Sequence, residues 1–170
     1  MSCDIVSFAY RGYSDSTGQP SEAGLKLDSE AVMRFVKNDL AEHYQGGIFV
    51  LGRSLGGAVA THAVSSMSQE DALMIDGLIL ENTFTSIDDM ADVMFSYIAK
   101  LKYLVLTNHW KTVDLIPKII TPIFYVTGSH DEIVPTEMTH KLHDLSSAAR
   151  FKQIWVNTEG YHNDTWATNK

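Results

Sequence analysis

The sequence predicts an α/β fold, a mostly parallel sheet with helices on both faces, and three observations carry that prediction. Short apolar runs of strand length alternate with segments whose apolar residues recur at helical spacing. Polar clusters rich in Gly, His and Asp follow directly on several of those runs, where open parallel sheets bind their ligands. One run, Ile48-Phe49-Val50-Leu51, leads through Gly52-Arg53-Ser54-Leu55-Gly56 into a small-residue helix start, placing a serine at the apex of a strand–turn–helix.

Taken in order, residues 5–10 read as a first strand. Residues 11–20 are rich in turn formers, and Ser21-Glu22 supplies a helix start. Val32, Phe35, Val36 and Leu40 recur at helical spacing between Glu30, Arg34, Lys37 and Glu42, so this helix is expected to run to about Tyr44. The strand 48–51 follows Gly46-Gly47, and the helix after Ser54 continues to about Met67. A strand over 77–81 ends at Asn82-Thr83. Another over 123–127 ends in Gly128-Ser129-His130-Asp131-Glu132, after which Pro135 starts a helix to about Leu145. A last strand over 151–156 precedes Gly160-Tyr161-His162-Asn163-Asp164. The alternation requires a parallel sheet, because only parallel strands need a crossover of that length between them.

Between Phe84 and Thr121 the alternation breaks. Ile87, Met90, Ala91, Met94, Ile98 and Leu101 form a helical stripe that packing on the sheet would explain. Lying between two strands whose ends carry the polar clusters, the segment 84–121 also reads as a cap. Phe84, Met94, Phe95 and Trp110 are then candidate walls for an apolar substrate.

A chain of 170 residues without a Pro/Gly/Ser-rich linker reads as one domain over 1–170. Its 45% hydrophobic and 20% charged residues are those of a globular protein. The net charge of −8, with 13 Lys and Arg scattered singly, provides no basic footprint for nucleic acid. Cys3 is the single cysteine and cannot close an intrachain disulfide. No run reaches the ~18 apolar residues of a membrane span, and no basic-then-apolar leader opens the chain. Without an H-E-x-x-H motif or clustered cysteines and carboxylates, neither a metal nor another cofactor is expected.

The chemistry follows from Ser54. A serine on such a turn sits in strained backbone geometry, and the residues two before and two after it, Gly52 and Gly56, must be small. The Leu55 N–H and the start of the following helix then face the space in front of Ser54, where an oxyanion would develop. A serine hydroxyl needs a base, and the base needs a carboxylate to fix its tautomer. Asp131 and His162 each follow a predicted strand directly. Glu132 is the second choice of acid, ahead of Asp114 and Asp164. His140 and His143 share a predicted helix, where an exposed face explains them better than a metal pair, and His130 abuts the acid and cannot easily turn onto it.

These motifs together resemble the α/β-hydrolases, and more narrowly the eukaryotic bud-emergence type with its depalmitoylating α/β-hydrolase-domain relatives. The resemblance rests on Tyr10-Arg11-Gly12-Tyr13, Gly18-Gln19-Pro20-Ser21-Glu22-Ala23-Gly24-Leu25 and Asp28, then Gly52-Arg53-Ser54-Leu55-Gly56-Gly57. Leu80-Glu81-Asn82-Thr83-Phe84, Gly128-Ser129-His130-Asp131-Glu132-Ile133-Val134-Pro135 and His162-Asn163-Asp164 complete it. It implies Ser54, Asp131 and His162 as nucleophile, acid and base, in the chain order usual for these enzymes. It implies hydrolysis of an acyl ester or thioester, with a small molecule, a lipid-like ester or a palmitoyl-protein as substrate. Cytoplasmic or membrane-associated placement is implied as well, since family members are often membrane-anchored.

Relative to that pattern the chain is expected to be truncated at both ends. The strands before the Tyr-Arg-Gly-Tyr loop, the His-Gly loop that gives the second oxyanion N–H, and most of the helix after the histidine have no counterpart, and Ser14 stands where glycine is usual. The competing class is a non-catalytic domain that retains the triad pattern, which failure to react with an acyl or phosphonate probe would favour. A peptidase of the same fold ranks below both.

Overall fold

The computed structural model describes residues 3–41, 46–94 and 106–167. Its centre is a four-stranded parallel sheet in the order β1 (Phe49–Arg53), β2 (Gly77–Glu81), β3 (Ile123–Gly128), β4 (Lys152–Asn157). Gly52 of β1 pairs with Leu80 of β2, Leu80 with Tyr125 of β3, and Tyr125 with Ile154 of β4. The architecture is the expected α/β class, a parallel sheet flanked by helices.

Helix α1 (Glu22–Phe35) starts at Ser21, whose hydroxyl accepts the Gly24 N–H at 3.1 Å and so satisfies one of the orphan donors of the first turn. It passes into a π-helical turn, Val36–Leu40; the predicted end near Tyr44 lies outside the described residues. α2 (Leu55–Ser65) follows β1 at once, and α6 (Thr136–Leu145) begins after Pro135. Between them lie α3 (Gln69–Ala72), α4 (Ile87–Met94) and α5 (Thr112–Leu115), the last running into a 3₁₀ turn, Ile116–Lys118. The short α3 and α5 have too few residues to show a helical period, so no sequence pattern announces them.

Side chains alternate along a strand. One row of the sheet, Leu78, Leu80, Ile123 and Tyr125, packs with Ala60 and Val64 of α2 and Leu142 of α6 to form the main core. A second cluster joins Leu25 of α1, Ala58 and Val59 of α2, Phe84, Met90 of α4, Trp110, Val134 and Met138 of α6. It lies beside the carboxyl ends of the strands and so underpins the loops that leave them.

Residues 5–10, predicted as a strand, form none. Ile5 is 85% exposed, Val6 and Phe8 are exposed too, and only Tyr10 reaches the second cluster. An apolar run becomes a strand when a neighbour takes its N–H and C=O groups. Among the described residues no strand lies beside it, and β1 pairs with β2 only. The loop that follows is nevertheless well fixed. The Arg11 guanidinium and backbone N–H both donate to the Asp28 carboxylate, at 2.7–3.1 Å, and Ser14 adopts φ 50°, the left-handed conformation that glycine holds most easily.

Candidate active site

Ser54 occupies the tight turn between β1 and α2 with φ 53° and ψ −121°, a conformation that costs an L-residue on the order of 1–3 kcal/mol and must be imposed by its surroundings. They impose it through the end of β2. The Ser54 N–H donates to the Glu81 carbonyl at 2.9 Å, and the Thr83 hydroxyl donates to the Ser54 carbonyl at 2.9 Å. Close approach does the rest. A Cβ on Gly52 would lie 2.3 Å from the Gly56 carbonyl oxygen, and one on Gly57 would lie 2.4 Å from Thr83 Oγ1. At Gly56 the nearest atom is Tyr10 Oη at 3.7 Å, so the steric demand falls on Gly52 and Gly57 rather than on the symmetric pair expected from sequence. Leu55 opens α2, and its N–H has no carbonyl four residues back within the helix to take it.

Asp131 and His162, from the loops after β3 and β4, meet directly. His162 Nδ1 lies 2.7 Å from Asp131 Oδ2 and 3.0 Å from Oδ1, with the Asp131 side chain fully buried and that of His162 5% exposed. Asp131 Oδ1 also accepts the N–H groups of Ile133 and Val134 at 2.9 and 2.8 Å, which fix the carboxylate. A carboxylate can only accept, so Nδ1 carries the proton and Nε2 of the neutral ring is left as the basic nitrogen. Glu132, the second choice of acid, accepts the backbone N–H of His162 at 3.3 Å and not its ring. Its own N–H and that of His162 hold the Glu132 carboxyl below its ordinary range. Asp164 accepts the Tyr161 N–H and stays within its own turn. Among the described residues no hydrogen bond joins Ser54 Oγ to His162 Nε2. The structure therefore brings together the acid–histidine half of the predicted site and sets Ser54 on the same carboxyl edge of the sheet.

What fixes the histidine loop had no assigned role in the sequence reading. Asn82, one residue past β2 with φ 45° and fully buried, donates through Nδ2 to the His162 carbonyl at 3.0 Å and to Thr165 Oγ1 at 2.6 Å, and accepts the Gly128 N–H at 3.1 Å. Three consecutive residues at the end of β2 thus hold both sides: Glu81 and Thr83 grip the Ser54 backbone, and Asn82 grips the loops of Asp131 and His162. Asn157, the last residue of β4, donates to the Thr165 and Ala167 carbonyls. The available signal was position, since amides directly after buried strands are candidates for such bonds. On the other side Arg53 donates to the Asn163 amide oxygen, linking β1 to the residue after His162.

The candidate substrate walls separate. Phe84 and Trp110 are each 4% exposed and packed in the second core cluster, Met94 is exposed at the end of α4, and Phe95 lies outside the described residues. Glu22 Oε2 accepts the N–H groups of His109 and Trp110, at 2.5 and 3.0 Å, tying the 108–110 stretch to the start of α1. A cleft of about 260 Å³ between α1 and the end of α2, lined by Glu30, Met33, Lys37, Met67 and Asp71, contains none of the predicted site residues. Among the described residues no three His, Cys, Asp or Glu side chains converge as a metal site, and no helix is long and apolar enough to cross a membrane.

Similarity to known proteins covers nearly all of the chain. It is 39% identical to protein bem46 of Schizosaccharomyces pombe, over 97% of this chain and 54% of that protein. It is 35% identical to the α/β-hydrolase domain-containing protein WAV2 of Arabidopsis thaliana, over 98% of this chain and 56% of that one. The chain thus spans about half the length of these curated relatives. Among solved structures, the Pyrococcus furiosus esterase Pf2001 superposes with a TM-score of 0.70 at 21% identity, over 93% of this chain and 61% of that one. No protein-family model matches the chain.

Proposed function

For a chain whose sequence and fold match the α/β-hydrolase superfamily, we propose a serine hydrolase that cleaves an acyl ester or thioester through a Ser54–His162–Asp131 triad. The observation that carries this reading is the buried Asp131–His162 pair, on the same sheet edge as a serine in left-handed conformation at the first turn of α2.

His162 Nε2 takes the proton of Ser54 as Oγ bonds to the acyl carbon, and Asp131 stabilises the imidazolium through Nδ1. The negative charge that develops on the carbonyl oxygen faces the Leu55 N–H and the start of α2. The tetrahedral intermediate collapses with cleavage of the bond to the alcohol or thiol, which leaves with the proton from His162. Water then repeats the sequence on the acyl-enzyme and regenerates Ser54. A lipid-like ester or a palmitoyl-protein thioester is the substrate class proposed.

The test is labelling of the purified chain by a fluorophosphonate, with circular dichroism to establish folding. Labelling is expected in the wild type and lost in Ser54→Ala and His162→Ala. A folded wild-type chain that does not label overturns the catalytic reading and leaves a non-catalytic domain of the same fold.

A further inference from the structure

The loop after β4 has to travel to bring a base to the serine. β1, which runs into Ser54, and β4, which precedes His162, are the outer strands of the sheet, three strand spacings or roughly 14 Å apart. The loop crosses that span in steps. Beside the loop after β3 the Gly160 carbonyl accepts the His130 N–H at 2.9 Å, and at the end of β2 the His162 carbonyl accepts from Asn82 Nδ2 at 3.0 Å. At β1 the next residue, Asn163, meets Arg53, the residue before Ser54. A guanidinium can only donate, so the amide oxygen of Asn163 faces it.

The steps differ in what they hold. Those at β2 and β3 fix the loop to the inner strands, and the His162 N–H and ring are likewise engaged from the loop after β3, by Glu132 at 3.3 Å and Asp131 at 2.7 Å. None of these bonds involves the strand that carries Ser54. Among the described residues the bond from Arg53 to Asn163 is the one hydrogen bond between β1 or the first turn of α2 and the loop 158–165. Arg53 and Asn163 are both exposed, where water competes for the two groups and a hydrogen bond adds little to folding stability. What the bond can still do there is fix a position.

We infer, on the hydrolase reading above, that Arg53 and Asn163 form a latch that fixes the His162 loop to the serine strand, and that both are positioning residues for transfer of the Ser54 proton to His162. The transfer needs the hydroxyl and Nε2 within about 3 Å of each other, and a displacement of about 1 Å can cost a hundredfold in rate. With the latch broken, the loop stays tied to β2 through Asn82 and to the loop after β3, but it can pivot about Asn82 away from β1. The acid–histidine pair would survive that movement, because Asp131 belongs to the side that stays tied. The approach of Ser54 to His162 would not.

The experiment measures the rate of fluorophosphonate labelling in the wild type, Arg53→Met, Asn163→Ala, the double variant and Asn163→Asp, with a urea unfolding titration of each. Both single substitutions are expected to slow labelling about tenfold while leaving the unfolding midpoint in place. The double variant should be no slower than the slower single, since both remove the same bond. Asn163→Asp, whose carboxylate still accepts from the guanidinium, should stay within about threefold of the wild type. Singles that label at the wild-type rate, losses that multiply in the double variant, or an Asn163→Asp as slow as Asn163→Ala each overturn the inference. A wild type that does not label sinks the hydrolase reading instead, and amide hydrogen exchange at Tyr161 and His162 then decides the latch by itself. Faster exchange in Asn163→Ala than in the wild type supports it, and equal exchange overturns it.

Discussion

The two faces of the sheet meet different surroundings although their strands are shared. Leu78, Leu80, Ile123 and Tyr125 lie at 0–1% exposure beneath α2 and α6, whereas Phe49, Leu51 and Trp155, on the alternate row, are 62%, 65% and 40% exposed. Both rows are apolar, so the difference does not lie in residue type. It lies in which row a helix reaches, and Gly52 shows how closely α2 settles on its side. At its carboxyl end the open row carries Arg53 on the edge strand β1 and Glu81 on the inner strand β2, where Glu81 and its partner Val126 are both 8% exposed. Burial on this sheet follows which face a helix covers and, on the open face, whether the strand is inner or at the edge. The covered row supplies stability, and the end of the open row is tied through Arg53 to the residue after the histidine.

Substitutions on the two rows test this difference. The largest effect is expected at Leu80→Ala, where a fully buried side chain would leave a cavity costing about 3 kcal/mol in a urea unfolding titration. A cost near zero would mean that the covered row is not the core. Asn82→Gly preserves the left-handed backbone while removing the amide that serves Gly128, His162 and Thr165. It should cost about 2 kcal/mol, and fluorophosphonate labelling should slow beyond the change in folded fraction.

Glu81→Gln should have the opposite sign. Burial raises the Glu81 carboxyl above its unfolded value, so the native state binds the proton more tightly. The stabilisation that this provides is full below the unfolded pKa and is lost as pH rises through the folded one. At pH 7 the ionised group opposes folding, and removing it should raise Tm by roughly 2–4 °C. The difference should close as the pH falls into the ordinary carboxylate range, as followed by thermal melts across pH. Leu51→Ala on the open row should change stability by no more than about 0.5 kcal/mol. A loss as large as that at Leu80 would show that the open row is covered in solution.

Much of the sheet and part of the site were legible in the sequence. The runs 77–81 and 123–127 declare themselves as strands because a parallel strand that needs covering is continuously apolar, and the turn at Ser54 declares itself through the glycines about it. Asp131 and His162 were legible as residues placed just after strands, and the structure joins them at 2.7 Å. Residues 5–10 misled, since a strand pattern states a capacity to pair and says nothing of whether a neighbour stands beside it. Asn82 and Glu81 were visible as letters in a motif, but their roles depend on residues 80 and 28 positions away, a distance over which local pattern carries no information.

Local pattern was enough for the succession of strands and helices, the presence of a tight turn at Ser54 and the arrival of each polar cluster at a strand's carboxyl end. These follow from local backbone preference and from the period of apolar residues, both short-range properties. Long-range packing settled which apolar row was covered, which of two adjacent acids took the histidine ring, and the grip of the end of β2 on both the Ser54 backbone and the His162 loop. Those outcomes rest on parallel strand register, which brings together residues far apart in the chain and turns a one-residue difference, Asp131 against Glu132, into a bond to the imidazole against a bond to the backbone.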